Sequence, residues 1–343
     1  MTRISVALAT YNGQRFLKAQ LDSLAAQRHL PLELHVGDDG SSDDSLAILE
    51  EFARHAPFPV FVRRNPERLN VTANFMMTAS RCSGDWIAFC DQDDVWLPDK
   101  LAAVAAGIAA SGPDLRLVAH NAVITDEDLG ARHLKAHWWG TKLMPRLTLP
   151  PHWASAGFCQ IFHRRLIDDV PWVGDAGNGR DGILNTHDRW IPALALATGS
   201  VLLLGEALAL YRRHDANVSP DTTLEAVSRT GWLMRALGNN GSLYAKQIRE
   251  TGWTADLLEE AAGRTHDAET KFLLGDAAAK IRIFCGHLAE RAGIYRKPRL
   301  ADRLGHMGRL IAGGGYARSR VCSFGPRAMI KDLAYAALPF RRD

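Results

Sequence analysis

Short apolar runs alternate with helical patterns through the first hundred residues, and this alternation restricts the chain to folds built on a mainly parallel sheet. Residues 4–9 (Ile4-Ser5-Val6-Ala7-Leu8-Ala9) read as a strand. Residues 13–26 read as a helix with Phe16, Leu17, Leu21 and Leu24 on one side, and 34–36 as a second strand. A helix over 42–55, a strand over 60–62, a helix over 71–81 and a strand over 86–89 continue the series. Strands separated by helices of about ten to fifteen residues make βαβ units and hence a parallel sheet. Open sheets of this kind bind ligands outside the carboxyl ends of their strands. The residues that follow each strand are therefore where chemistry is expected.

Two of those positions are acidic. Asp38-Asp39-Gly40-Ser41-Ser42-Asp43-Asp44 follows the strand at 34–36, and Cys90-Asp91-Gln92-Asp93-Asp94-Val95-Trp96 follows Trp86-Ile87-Ala88-Phe89. Carboxylates at the end of a buried strand are costly unless positive charge sits on them. A divalent cation carrying a phosphorylated ligand meets that need, because hard cations take carboxylate oxygens and complete their shell with phosphate and water. The pair of runs points to an enzyme that handles a nucleotide-linked substrate.

Farther along, 98–110 reads as a helix with Pro98 near its start, 115–120 as a strand, and 130–155 as an irregular loop over the site. Residues 159–162 read as a strand and 188–197 as a helix, while 201–204 and 207–211 read as a strand pair. From about Leu224 the pattern changes to successive apolar helical stripes at 224–237, 241–262, 266–292, 300–312 and 326–338. The expected division is a catalytic α/β domain over 1–223 and a helical region over 224–343.

Composition excludes several classes. The 343 residues are 47% hydrophobic and 23% charged, as in an ordinary globular enzyme. The apolar start at 4–8 is too short for a signal peptide, and the longest apolar stretch, 191–204, is broken by Thr198, Gly199 and Ser200 and falls short of a membrane span. Five cysteines without CxxC spacing fit reduced thiols in a cytoplasmic chain rather than a disulfide framework or a zinc knuckle. Residues 296–343 hold 11 Lys/Arg against 3 Asp/Glu, whereas the other 295 residues hold 30 against 35. An acidic body beneath a basic tail, with no basic–aromatic interleaving, argues against nucleic-acid binding.

The candidate residues each have a bland reading as well. Ser41 or Ser42 can cap the helix that follows, with Asp43 and Asp44 in its first turn, while Asp38 and Asp39 lie upstream of any cap and are free to meet a ligand. In the second run Asp93 is read as a direct metal ligand and Asp91 as reaching a ribose or a metal-bound water. Asp188, in Thr186-His187-Asp188-Arg189-Trp190, is either a helix cap or a general base for an acceptor hydroxyl. His214 is either a second metal ligand or a core-edge histidine. Arg212 and Arg213 either neutralise a leaving diphosphate or form an exposed basic pair.

Together these stretches resemble the family 2 glycosyltransferases. Val6-Ala7-Leu8-Ala9-Thr10-Tyr11-Asn12-Gly13, the Asp38–Asp43 run, Asp91-Gln92-Asp93-Asp94-Val95-Trp96, His187-Asp188, and Tyr211-Arg212-Arg213-His214 with Asn217-Val218-Ser219 carry the likeness in order and spacing. Within that family the Asp-Gln-Asp-Asp-Val-Trp form and the Arg-x-His-x-x-Asn-Val-Ser ending are most similar to rhamnosyltransferases of bacterial surface polysaccharide synthesis. The resemblance implies a GT-A fold, inverting transfer from a nucleoside diphosphate sugar such as dTDP-rhamnose to a glycan or lipid-linked acceptor, and Mg2+ or Mn2+ on the diphosphate. By position it implies Thr10, Tyr11 and Asn12 in the nucleotide pocket, Asp39 at the base and Asp91 at the ribose. It likewise implies Arg212 near the diphosphate, Asp93 and His214 on the metal, and Asp188 as the base. Many members carry Glu-Asp where this chain has His187-Asp188, a departure that leaves Asp188 in place. The alternatives are a UDP-hexose donor or a non-catalytic nucleotide-sugar-binding protein on the same fold. The basic tail suggests peripheral contact with the cytoplasmic face of the inner membrane, through 328–340 flanked by Arg327, Arg341 and Arg342.

Overall fold

The computed structural model describes residues 2–135, 140–170, 172, 186–215, 217, 241–317 and 322–337. The helix expected over 224–237, Val218 and Ser219 of the late motif, and Arg341 and Arg342 lie outside them. The chain forms two compact units, one of Met1–Pro145 with Ala154–Ser219, the other of Arg146–Trp153 with Pro220–Asp343.

The first unit is an α/β sandwich of Rossmann type. Its strands are β1 (Ile4–Thr10), β2 (Glu33–Asp38), β3 (Val60–Arg64), β4 (Trp86–Asp91), β5 (Val95–Trp96), β6 (Leu115–Thr125), β7 (Ala131–Lys135), β8 (Lys142–Met144), β9 (Gln160–His163) and β10 (Ser200–Arg212). Among the described residues they make one sheet in the order β3-β2-β1-β4-β9-β6-β10-β5, with β7 on β6 and β8 on β10. β3, β2, β1 and β4 run parallel, as do β6 and β10; β9 enters antiparallel between β4 and β6. Every residue of β1 is buried, as a strand covered by helices on both faces requires.

Its helices are α1 (Gln14–Ala25), α2 (Ser45–His55), α3 (Val71–Ala79), α4 (Lys100–Ala109), the short α5 (Arg165–Asp168) and α6 (His187–Thr198). α1 buries Leu17, Leu21 and Leu24, the i, i+4, i+7 stripe of an amphipathic helix. α3 starts at Asn70, whose side-chain oxygen accepts the Ala73 N–H at 3.0 Å, a side-chain N-cap. α3 packs close on β2: a Cβ at Gly37 would lie 2.2 Å from Asn74 Oδ1 and 2.3 Å from Thr78 Oγ1.

Two expectations change. Residues 201–211 form one strand rather than a pair, because β6 offers parallel partners along its whole length; register shifts between Leu204 and Ala207 and between Ala207 and Leu210 absorb the Gly205-Glu206 interruption as a bulge. Residues 130–155 are not simply a loop over the site: β7 and β8 lie within them, and Arg146–Trp153 belong to the second unit.

The second unit is helical, with α7 (Gly241–Arg264), α8 (Ala268–Arg296), α9 (Leu300–Ala312) and α10 (Pro326–Ala337). Ile294, Tyr295, Met307, Leu310, Tyr316 and Ala336 form an apolar core. Asp332 is fully buried at its centre and accepts from Arg291 Nε (2.8 Å), Arg291 Nη2 (3.1 Å), Tyr295 Oη (2.5 Å) and Tyr316 Oη (2.7 Å). A buried carboxylate is tolerated only with such complete pairing. Among the described residues, no helix is long and apolar enough to cross a membrane.

Candidate active site

The carboxyl ends of β1, β2, β4 and β10 and the start of α6 carry the residues singled out from the sequence, most of them held in hydrogen-bonded networks. After β1, Thr10 Oγ1 and the Tyr11 N–H both donate to Gln92 Oε1, at 2.7 and 2.9 Å, and Gln92 Nε2 returns a bond to the Tyr11 carbonyl at 3.2 Å. Gly13 leaves room for this: a Cβ there would sit 2.4 Å from Gln92 Oε1. Asn12 takes a left-handed backbone, φ 47°, a conformation asparagine tolerates better than most residues. Its N–H donates to Ser41 Oγ and its Oδ1 accepts from the Ser42 N–H, both at 2.9 Å. Of the three residues expected in a nucleotide pocket, Thr10 and Asn12 spend their side chains on the framework. Tyr11 is exposed, with the Arg68 guanidinium 4.0 Å from its ring centroid.

Asp38 and Asp39 are buried. Asp38 Oδ2 accepts the Gly40 and Ser41 N–H groups and so shapes the turn, while its Oδ1 is buried without a hydrogen-bond partner. Asp39 Oδ1 accepts from Leu69 N–H (2.7 Å) and Asn65 Nδ2 (3.2 Å), and Oδ2 from Asn70 N–H (3.1 Å). A carboxylate offers about four such sites, which leaves one on Asp39. The cap expected at Ser41 or Ser42 is not formed there: α2 starts at Ser45, and Asp43 Oδ1 accepts the Ser45 N–H at 3.0 Å.

The acidic cluster surrounds the end of β4. Asp94 is fully buried; its Oδ1 accepts the Arg212 N–H at 3.1 Å, while its Oδ2 is buried without a hydrogen-bond partner. Burial, then the Asp93 and Asp91 charges, raise its carboxyl well above the usual range. Asp91 is pushed up to about 8, first by burial and then by the charges of Asp93 and Asp188. Beneath them lies Lys100, the first residue of α4 and fully buried. Its Nζ donates to the Phe158 carbonyl at 2.7 Å and stands 3.3 Å from the Trp96 ring centroid. Burial pulls Lys100 down to about 7, its neighbours Cys159, Cys90, Asp94 and Asp91 opposing the shift. Sequence reasoning missed this lysine. The available signal was its place four residues before buried Val104, on the inward face of an otherwise apolar helix.

From β10 come Arg212, His214 and Asn217. His214 Nε2 lies 2.9 Å from Asp93 Oδ2, and Asn217 Nδ2 lies 3.3 Å from the same ring nitrogen and 3.5 Å from the same carboxylate oxygen. Asn217 Oδ1 accepts the His214 N–H at 2.6 Å, fixing the turn that aims the imidazole. Phe16 of α1 packs on both the His214 ring (centroids 4.6 Å apart) and the Arg212 guanidinium (4.6 Å). Arg212 is buried; its Nε donates to the Asp93 carbonyl at 2.8 Å and its Nη1 to the Glu127 carbonyl. Nε and Nη1 thus hold backbone carbonyls and position Asp93, so the diphosphate contact expected of Arg212 would fall to Nη2.

Asp188 stands in the first turn of α6, after Thr186 at the cap position, so it is not the cap that the bland reading proposed. The Thr186 hydroxyl donates to Asp188 Oδ1, and Gln160 Nε2 holds the Asp188 carbonyl at 2.8 Å. His187 turns inward against Phe75 (4.2 Å between centroids) and Phe89 (4.9 Å), and burial lowers its pKa. The His187-Asp188 pair thus divides its work: the neutral imidazole anchors the helix start, and the carboxylate remains on the side of Asp91.

Among the described residues no three His, Cys, Asp or Glu side chains converge into a protein-only cage. Asp93 Oδ2 and His214 Nε2 nevertheless lie 2.9 Å apart. A carboxylate oxygen and an imidazole nitrogen so placed are a donor pair that fits Mg2+ or Mn2+.

Comparison with known proteins gives the family. The family model "Glycosyl transferase family 2" matches residues 5–170. An uncharacterised glycosyltransferase of Nostoc sp. is 32% identical over 249 residues, covering 67% of this chain and 72% of that protein. The dTDP-rhamnosyl transferase RfbG of Shigella flexneri is 32% identical over 98 residues, covering 27% of this chain and 34% of its own. The crystal structure of S. aureus TarS residues 1–349 in complex with UDP-GlcNAc superposes with a TM-score of 0.52 at 17% identity, covering 99% of this chain and 93% of that one, a likeness of fold. With its GT-A core and helical appendage, the chain belongs to the family 2 glycosyltransferases.

Proposed function

We propose that the chain transfers a hexosyl group from a UDP-linked donor to a hydroxyl of a glycan or lipid-linked acceptor, with inversion, on a divalent cation held by Asp93 and His214. The observation that carries this reading is the meeting of Asp93, His214 and Asn217 at the end of β10, with Asp91 and Asp188 alongside. The cation, when bound, offsets charge on the diphosphate. Asn217 orients His214, and Arg212 fixes the Asp93 backbone through its bond to that carbonyl. The base stacks by the Tyr11 ring and Arg68, its N–H directed to the remaining acceptor site of Asp39, and Asp91 meets the ribose. Thr10 and Asn12 support that pocket through Gln92, Ser41 and Ser42.

Asp188 takes the proton of the acceptor hydroxyl as its oxygen bonds to the anomeric carbon. The bond from that carbon to the diphosphate oxygen breaks in the same displacement, and the nucleoside diphosphate leaves with both electrons. A single displacement needs one base and no covalent sugar–enzyme intermediate.

The likeness over nearly the whole chain to a protein crystallised with UDP-GlcNAc favours a UDP donor. The shorter similarity to a dTDP-rhamnosyl transferase keeps dTDP-rhamnose as the second reading. The setting we infer is the cytoplasmic face of the inner membrane, where a lipid-linked acceptor would be met. Phosphorus NMR of the protein with Mg2+ and UDP-glucose, UDP-galactose, UDP-N-acetylglucosamine, GDP-mannose or dTDP-rhamnose tests the donor through its slow hydrolysis, water taking the sugar in place of the acceptor. Release of UDP from a UDP sugar is the expected result; release of dTDP alone selects the second reading. Products other than a free nucleoside diphosphate would mean a different reaction.

A further inference from the structure

The helical unit leaves apolar surface uncovered on its two last helices. On α9, Leu300, Leu304 and Ile311 are each about half exposed. Their i, i+4, i+11 spacing sets them within about 40° of one another around the helix. Ala301, Gly305, Gly308 and Ala312 are exposed beside them, and Asp302 is the one acidic residue of α9. The opposite side of α9 is spoken for: Arg303, Met307 and Leu310 are buried. α10 packs on α9, with Arg303 Nη1 donating to the Tyr335 carbonyl at 3.4 Å. α10 buries Asp332 and Ala336 while Ile330 remains 67% exposed and Leu333 46%. An apolar stripe of this kind on a monomer marks an interaction surface.

Its surroundings say what covers it. Arg296, Lys297 and Arg299 are exposed on the segment that enters α9, and Arg327 and Lys331 are exposed on α10. Arg309 is paired with Glu290 at 3.0 Å and Asp332 is fully buried in its own network, so Asp302 is the main exposed acid near five exposed cations. A second copy of the chain would bring two such cationic surfaces together, each with a tail of the same sign. An anionic lipid surface instead complements both features at once: the headgroups attract the cations, and the leucine and isoleucine side chains enter the headgroup–acyl boundary.

We propose that α9 and α10 form an interfacial docking surface for anionic lipid, with Leu304 and Ile311 as the apolar anchors and Arg296, Lys297, Arg299, Arg327 and Lys331 as the electrostatic contacts. It rests on the membrane setting inferred for the transfer reaction and gives that setting a location. It differs from the attachment expected from the sequence, because α10 turns part of its apolar face into the core and α9 supplies the longer exposed stripe.

Sedimentation of the full chain with sucrose-loaded vesicles tests it, comparing phosphatidylcholine alone with phosphatidylcholine containing phosphatidylglycerol. The expected result is partition at least about tenfold stronger on the anionic vesicles, reversed by high salt. Leu304→Glu with Ile311→Glu should reduce it to the level of neutral vesicles with an unchanged melting temperature. Lys297→Glu with Arg299→Glu, which leaves the helices' packing untouched, should weaken it at low salt. Equal partition on both vesicle types, or full binding by both double variants, would overturn the proposal. So would a dimer in size-exclusion chromatography that Leu304→Glu with Ile311→Glu abolishes while vesicle binding stays. Binding of UDP with Mn2+ is measured in parallel by calorimetry without lipid: vesicle partition without UDP binding would remove the transferase reading and leave the surface, and UDP binding without partition would do the reverse.

Discussion

Lys100 is the residue on which the electrostatics of the site depend. It is fully buried, sits against the Trp96 ring and the Phe158 carbonyl, and lies within electrostatic reach of Asp91 and Asp94. Replacing Lys100 leaves the buried Phe158 carbonyl without its donor, so Lys100→Met should cost about 1–3 kcal/mol of stability and lower the melting temperature. A melting curve unchanged from wild type would mean that this bond contributes nothing to the fold. The Asp188 carboxylate is oriented by the Thr186 hydroxyl and its backbone by Gln160, neither of which depends on a donor. Asp188→Asn should therefore bind the nucleotide donor as wild type does and lose turnover by more than about a hundredfold; a parallel loss of donor affinity would remove its assignment as base. Asp93, His214 and Asp188 could be named from the sequence because each sits at the edge of an element. Lys100 could not, since a lone lysine at a helix start reads as solvated, and only the packing of α4 against Phe158 turns it inward. The backbone-holding part of Arg212 was likewise hidden, since a basic residue beside an acidic run suggests a ligand, whereas its Nε and Nη1 end on the Asp93 and Glu127 carbonyls.

At the scale of elements, the close approach of α3 to β2 and the open face of α8 predict opposite outcomes for the same change. Gly37→Ala drives a Cβ to within 2.2 Å of Asn74 Oδ1, in a region where Asn74 also donates to the Gly37 carbonyl at 2.8 Å. It should destabilise by about 1–3 kcal/mol. Gly286→Ala, inside α8 with nothing within 4 Å of the new methyl group, should stabilise by about 0.5–1 kcal/mol through helix propensity. Chemical denaturation of both variants checks the pair, and equal signs would contradict the packing described. The order of strands and helices to β4 was legible because each apolar run there is bounded by turn residues and each helix has a clear stripe. β10 was not, because Gly205-Glu206 looks like a turn when the uninterrupted partner strand β6 is not in view. β7 and β8 were hidden by composition: their stability comes from pairing with β6 and β10 rather than from local pattern.

Across the whole molecule, the two units divide the chemistry. The α/β unit gathers residues from the ends of β1, β2, β4 and β10 and the start of α6, and a network running from Thr10 through Gln92 and from Arg212 through Asp93 ties most of them together. The helical unit carries the cationic, partly apolar surface of α9 and α10. The change of pattern near Leu224 and the charge of the tail were visible in the sequence, but the capture of Arg146–Trp153 by the helical unit was not. That capture rests on long-range contacts, such as Arg146 Nη1 to Asp276 Oδ2 at 2.7 Å, between residues 130 positions apart. The central claim, that Asp93 and His214 hold the cation on which donor binding depends, is tested most directly by calorimetric titration of UDP into wild type, Asp93→Ala and His214→Ala, each with Mn2+ and with EDTA. The account predicts that wild type binds UDP more than about tenfold more tightly with Mn2+, and that either substitution removes this difference. Equal affinity in EDTA and Mn2+, or a metal effect that survives in Asp93→Ala, would contradict it.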